Sequence, residues 1–147
     1  MNLWNNIKQL FGIKAKEVAI ETAEKIVDSE IEKKTGMKIS KIFENKGEKY
    51  FREIEENESL NMIKGKDKII ALGGGTFINQ KVREETKKSC FSVWLDLSPE
   101  KIFARVKKNK ERPLLINAKS IKDVENIYLN RKKIYALADY RLDCTSK

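Results

Sequence analysis

The feature that most constrains the fold is an alternation of short apolar runs with helix-forming segments in the second half of the chain. Three runs have the length and composition of strands: Lys68–Leu72, Phe91–Leu97 and Tyr140–Cys144. Helical patterns fill the intervals: Gln80–Lys88, Pro99–Lys108 and Ile121–Ala138. Because the strands alternate with helices, the pattern predicts an α/β fold with a parallel sheet and right-handed crossovers.

The first 67 residues differ, because they carry helical spacing and no convincing strand. Apolar residues recur at helical steps over Leu3–Val27, and a second helix is expected over Lys49–Met62, after the break at Gly47. An α/β nucleotide-binding domain normally opens with a strand and a phosphate-binding loop. We therefore expect one domain over residues 1–147, with a divergent helical segment at 1–27.

A triplet of glycines follows the first apolar run. In "KIIALGGGTF", the run ends at Leu72 and is followed by Gly73, Gly74 and Gly75. Glycine has no Cβ, so such a turn lets the backbone approach a ligand closely. The Lys-Ser or Lys-Thr pair of a phosphate-binding loop does not follow, which leaves open what the glycines approach.

Composition narrows the functional classes only slightly. Lys plus Arg is 31 against 22 for Asp plus Glu, which gives a net charge of +9, and histidine is absent. The lysines are scattered along helical stretches without interleaved aromatics, a pattern typical of a solvated surface rather than of a nucleic-acid interface. Cys90 and Cys144 lack metal-binding spacing. No apolar stretch is long enough to span a bilayer, and we expect a cytoplasmic protein without membrane contact.

Four short stretches, taken in order, carry a family resemblance: "GEKYFREIE", "GGG", "ERPLL" and "RKKIYALADYRLDC". Together they resemble shikimate kinase over about Asp28 to Cys144. The resemblance implies a three-layer, parallel-sheet fold of the P-loop-kinase type. It also implies a reaction, transfer of the γ-phosphoryl group of ATP to the 3-hydroxyl of shikimate in aromatic amino-acid biosynthesis. ATP and Mg²⁺ would be needed only if the chain is active.

The resemblance assigns an acceptor site for shikimate or a similar small hydroxy acid. Asp28 falls on the residue that accepts hydrogen bonds from the ring hydroxyls, and it takes a catalytic role. Arg52 and Arg131 fall on the pair that clamps the carboxylate. The three glycines fall on the turn beside which the ring lies. Two guanidinium groups can give fork-shaped, charge-assisted hydrogen bonds to one carboxylate, so the assignment is chemically sensible.

The same resemblance assigns nucleotide contacts. Arg105 matches the residue that lies against the adenine, and Arg112 matches a catalytic arginine that reaches the phosphates. A lid-like loop is expected over residues 105–118. Lys8 is the one weak candidate for the phosphate-loop lysine, in "NNIKQLFG", where a plain amphipathic helix is the stronger interpretation.

The nucleotide half departs from the family pattern. The motif G-x-x-G-x-G-K-[ST] does not occur in the sequence. When the chain is aligned with the family without gaps, through Ile31-Glu32 and Gly36, Ile26 falls on the aspartate that binds Mg²⁺ in the family. No metal ligand is therefore predicted. A gapped alternative places Asp28 on the magnesium site and Glu30 on the shikimate site.

The fold is therefore expected to be incomplete, without the Walker A loop and the central first strand. An open inner sheet edge would invite a protein partner or self-association.

Three functions remain open at this stage. The first is a shikimate-binding protein with weak or no phosphotransfer, or a scaffold, and the second is an active shikimate kinase. The third is a structural component of a larger assembly, for which binding to RNA is allowed by the charge but not favoured by it.

Overall fold

The structure is a computed structural model that describes residues 27–65, 69–108 and 118–145. Residues 27–35 are helical and are labelled α1. The later helices are α2 (Ile39–Ile63), α3 (Gln80–Ser89), α4 (Pro99–Lys108) and α5 (Ile121–Tyr135), with a 3₁₀ turn at Thr76–Ile78. The strands are β1 (Val93–Asp96) and β2 (Tyr140–Asp143).

The two strands form a parallel pair. Val93 is in register with Tyr140 and Asp96 with Asp143. Helices α4 and α5 lie between the strands in sequence, as a parallel connection requires. The predicted α/β fold is confirmed, and so are the centres of the second and third predicted strands.

The segment predicted as the first strand, Lys68–Leu72, does not form a strand over its described residues 69–72. Residues 69–72 form no ladder with any other described residue, although Ile70 packs against the apolar core. A strand exists only where a partner supplies hydrogen bonds. The family resemblance places another strand between this segment and β1, so a direct ladder between the two is not expected.

Gly47 divides α2 into two helical pieces. Its backbone has φ 82° and ψ 171°, a conformation open in practice only to glycine. The predicted break at this residue, followed by a new helix, is confirmed. The second piece carries Arg52 and Glu55 on one face, three residues apart.

An apolar core holds α1 against α2. It consists of buried residues from both helices: Val27, Ile31, Ile39, Ile42 and Phe51. The rings of Phe43 and Phe51 are 4.7 Å apart between centroids. This packing fixes Asp28, next to Val27 in α1, on the side of the molecule that faces Arg52.

Side-chain caps position the segment after the glycines. Asn79 accepts from the backbone N–H of Val82 at the start of α3 and donates to Glu56 of α2 at 2.5 Å. The 3₁₀ turn contacts α2, α3 and α5. The glycine triplet therefore lies where the three helices meet.

The predicted end of α5 is wrong, and the predicted lid at 105–118 is not tested by the described residues. Helix α5 begins at a capping box formed by Ser120 and Asp123. It was predicted to reach Ala138, but it ends at Tyr135 because Ala136–Ala138 form turn hydrogen bonds. The expected lid at 105–118 begins inside α4, which stays helical to Lys108. Residues 109–117, like the N-terminal residues 1–26, lie outside the described residues.

A buried carboxylate ties α5 to the sheet. Asp96 accepts from Tyr128 of α5 at 3.0 Å and from Arg141 of β2 at 2.7 Å.

Over the described part of the chain, no helix is long and apolar enough to cross a membrane.

Candidate functional site

Two arginines from different helices converge on the glycine turn, a name used here for Gly73–Gly75. An ideal Cβ on Gly75 would lie 2.7 Å from Cζ of Arg52, and one on Gly74 would lie 3.0 Å from Nη1 of Arg131. Arg52 comes from α2 and Arg131 from α5. Because Gly74 and Gly75 are consecutive, the two guanidinium groups flank one short stretch of backbone. The arrangement can hold a single small anion between two cations.

The turn accepts these groups because it has no side chains. A Cβ on Gly75 would lie closer to the guanidinium of Arg52 than real Cβ contacts allow, so the arginine would have to move. The backbone N–H of Thr76 donates to the carbonyl of Gly73 at 2.9 Å and closes the turn. The absence of side chains at the glycines thus lets the guanidinium groups lie close to the backbone.

Arg52 is held in place by acidic neighbours. Its Nη1 donates to Oε2 of Glu55 at 2.6 Å, and its Nε lies 3.5 Å from Oε1 of Glu48. Both contacts follow helical spacing, as expected for a helix-surface arginine. Arg52 also contacts the glycine turn, however, and its side chain is only 30% exposed. It is therefore part of the cluster as well as a paired helix residue.

Asp28 joins the cluster from α1. Burial, together with the charges of Glu55 and Glu32, raises the pKa of its carboxyl from 3.8 to about 6, and Arg52 opposes this shift. These influences place Asp28 within electrostatic range of both Arg52 and Glu55. A carboxyl with a pKa near 6 is ionised at neutral pH and can accept hydrogen bonds or a proton.

The alternative alignment, in which a gap places Glu30 on the shikimate site, has no similar support, because Glu30 is not found in the cluster. Glu30 forms a surface ion pair with Lys33 at 3.1 Å. The described residues bring together Asp28, Arg52, Arg131 and the glycine turn, as the ungapped alignment predicts. This placement does not by itself assign a role to any of them.

Two neighbours of the cluster, Thr76 and Tyr135, were not predicted, and a third, Glu55, was expected only as a helix-surface partner of Arg52. Glu55 is 4% exposed and bridges Arg52 to Thr76, whose hydroxyl donates to Glu55 Oε1 at 2.5 Å. Tyr135 donates through its hydroxyl to the carbonyl of Gly74. Helical spacing predicts Glu55, three residues after Arg52, and could have indicated Tyr135, four residues after Arg131.

The predicted nucleotide contacts are only partly within the described residues. Arg105 is exposed in the last turn of α4. Arg112 and Lys8 lie outside the described residues. Within 27–65, 69–108 and 118–145, no group of three or more His, Cys, Asp or Glu side chains could hold a metal ion.

The described residues thus combine a parallel α/β architecture with a carboxyl group and two guanidinium groups gathered at a glycine turn. A sequence model of the shikimate kinase family matches residues 15–147. The chain belongs to the shikimate kinase family.

Individual relatives agree with this membership. Shikimate kinase from Persephonella marina is 38% identical over 121 residues, which cover 82% of this chain and 73% of the relative. The solved structure of shikimate kinase from Acinetobacter baumannii in complex with shikimate superposes with a TM-score of 0.77 at 30% identity, covering 82% of this chain and 68% of that one. The structure of the Aquifex aeolicus shikimate kinase gives 0.68 at 34% identity, with coverage of 80% and 68%. The predicted P-loop-kinase-like fold is confirmed.

Proposed function

We propose that this chain binds shikimate at the glycine turn, with the carboxylate clamped by Arg52 and Arg131 and the ring hydroxyls bonded to Asp28. The observation that carries the proposal is the convergence of both guanidinium groups on Gly74 and Gly75. The solved relative from Acinetobacter baumannii is a complex with shikimate, which supports the same ligand here.

The chemistry of the site suits this ligand. Two arginines offer planar forks to one carboxylate, and these bonds are stronger than those between neutral groups. The glycine turn has no side chains, so both guanidinium groups can lie close to its backbone. Asp28, ionised at neutral pH, supplies an acceptor for hydroxyl donors on the ring.

The proposal extends to weak phosphotransfer or none, with binding or a scaffold role as the main function. Its support is the absence of the G-x-x-G-x-G-K-[ST] motif from the 147-residue sequence. In P-loop kinases the backbone and lysine of that motif hold the phosphates. Self-association or a protein partner at an open sheet edge remains a prediction of the same proposal.

The second candidate is an active shikimate kinase. It is favoured by the family membership and by Arg105 and Arg112, the residues that the alignment matches to nucleotide contacts. ATP with Mg²⁺ would supply the phosphoryl group, and Asp28 would accept the proton of the attacking hydroxyl. Both candidates use the same acceptor site.

Ligand titration separates the candidates. The full chain is heated with shikimate, with ATP and Mg²⁺, or with both. Because a ligand that binds only the folded state stabilises it, shikimate at about a hundred times its Kd should raise Tm by roughly 5–10 °C. The methyl ester of shikimate, which lacks the carboxylate charge, is the control and should raise Tm much less.

The outcomes have distinct meanings. If shikimate produces no shift, or if its methyl ester works equally well, the acceptor site is assigned wrongly. If phosphate transfer to shikimate proceeds at roughly 1–100 per second, the weak-transfer version is excluded and the active kinase is established.

Replacing Gly75 with alanine tests the close approach of Arg52. The new Cβ would collide with the guanidinium, the movable end of a long side chain. We therefore expect Tm to change little while Kd for shikimate rises by about tenfold, which matches one displaced charge-assisted contact. Isothermal titration calorimetry measures the affinity. The matched control is Gly36→Ala, because an added Cβ at Gly36 would have no heavy atom within 4 Å. Since its φ is 66°, Gly36→Ala should lower stability but leave Kd unchanged.

A further inference from the structure

We propose that Thr76 is a positioning residue of the acceptor site, because its hydroxyl orients the Glu55 carboxylate and Glu55 in turn holds the Arg52 guanidinium against the glycine turn. The inference rests on the proposed function for its effect on shikimate. The chain of contacts itself can be tested without any ligand.

The two oxygens of Glu55 have separate donors. Oε1 accepts from the Thr76 hydroxyl at 2.5 Å, and Oε2 accepts from Nη1 of Arg52 at 2.6 Å. Glu55 is 4% exposed and Thr76 is 2% exposed, so water has little access to either group. With one donor on each oxygen, the plane of the carboxylate is fixed.

Thr76 links this carboxylate to the turn that faces the ligand. It is the first residue after Gly75, and its backbone N–H closes the turn on Gly73. Arg52 in turn reaches back to Gly75. Gly75, Arg52, Glu55 and Thr76 therefore form a ring of contacts, which the peptide bond between Gly75 and Thr76 closes. A shift of one of these residues would displace the others.

Loss of the hydroxyl would change how Glu55 uses its two oxygens. Oε1 would be buried without its donor, and such a group seeks another. The guanidinium of Arg52, which already donates to Oε2, can pair with both oxygens in a fork. A forked pair would draw the N–H groups of Arg52 toward Glu55 and away from a carboxylate bound at the turn.

Three threonine variants test this inference in the full-length chain. Thr76→Val removes only the hydroxyl, Thr76→Ser keeps it, and Thr86→Val is the matched control. Thr86 is also buried, and its hydroxyl donates to the Val82 carbonyl within α3 at 2.7 Å. We expect Thr76→Val to raise Kd for shikimate by about five- to tenfold, and the other two variants to stay within about twofold of the wild type.

A ligand-free measurement keeps the inference separate from the proposed function. Unfolding equilibrium constants are measured for Thr76→Val, Arg52→Lys and the double variant. Each single variant changes the unfolding equilibrium constant by some factor. If Thr76 acts through Glu55 on Arg52, the factor for the double variant differs by about threefold or more from the product of the two single-variant factors. Thr86→Val combined with Arg52→Lys should show no such deviation.

Each result has one meaning. A deviation seen only for the Thr76 pair supports the positioning role even if the wild type fails to bind shikimate, a failure that counts against the proposed function alone. Independent effects for Thr76 and Arg52 overturn the inference. So does a loss of affinity in Thr86→Val as large as that in Thr76→Val, or a failure of Thr76→Ser to restore binding.

Discussion

Replacing Arg131 with alanine should weaken shikimate binding by about a hundredfold. Arg131 contributes a guanidinium beside Gly74, next to the Gly75 that Arg52 approaches. A planar fork can give two charge-assisted bonds to a carboxylate, and each is worth about 1.5–3 kcal/mol. Losing them costs about 3 kcal/mol or somewhat less after solvent compensation, which corresponds to about two powers of ten in Kd. Titration calorimetry at fixed ionic strength measures the change.

Two further variants define the cause of that loss. Arg131→Lys keeps the charge but not the fork, and we expect an intermediate loss of about tenfold. Lys133→Ala removes an exposed cation from the same helix and should leave Kd within about twofold. If Lys133→Ala weakens binding as much as Arg131→Ala does, the effect is the general field of a basic chain, and the clamp is refuted.

The proposed clamp would depend on the position of the glycine turn as well as on charge, and the hydroxyl of Tyr135 holds that turn. It donates to the Gly74 carbonyl, and the tyrosine ring lies 6.0 Å from that of Trp94 in β1. The turn on which Arg131 acts is therefore anchored to α5 and, through aromatic packing, to the sheet. A rigid turn spares the ligand the entropic cost of ordering it.

The sequence could predict the members of the cluster that recur in a recognisable motif. The glycine triplet can be recognised in the sequence itself, and Asp28, Arg52 and Arg131 are predicted through the resemblance to the family, which aligns them with its acceptor-site residues. Glu55 and Thr76 could not be identified as partners in this way. Their pairing joins residues 21 apart, and only the folded chain brings α2 against the residues after the glycine turn.

The fold was predictable to a similar extent and for similar reasons. Local signals fixed the start of α4 at Pro99 and the break at Gly47, because both depend on backbone angles of single residues. The segment at 69–72 has the apolar composition of a strand. Whether such a segment forms a ladder depends on a partner strand, which local composition does not reveal.

Replacing Asp28 with asparagine should weaken binding and stabilise the fold at the same time. Asparagine is nearly the same size but cannot carry the negative charge that favours hydroxyl donors, so we expect Kd for shikimate to rise by about thirtyfold. The carboxylate is costly to the folded state, because it is partly buried and near Glu55 and Glu32. Removing this charge should raise the free energy of unfolding at pH 7.5 by about 1–2 kcal/mol, a value reduced for the partial exposure of the group.

The pH dependence identifies the group responsible for the stabilisation. The pKa of Asp28 is about 6 in the folded chain and 3.8 in its reference state, so between these values the folded state binds more protons than the unfolded state. The contribution of Asp28 to the free energy of unfolding therefore falls as pH rises from about 4 to about 7. The advantage of Asp28→Asn should be near zero at pH 4 and complete above pH 7, as measured by urea denaturation. Glu30→Gln, a change on the same helix at a surface ion pair, is the control and should show no such trend. A constant difference between Asp28→Asn and the wild type across this range would mean that Asp28 is not the buried, ionised group of the site.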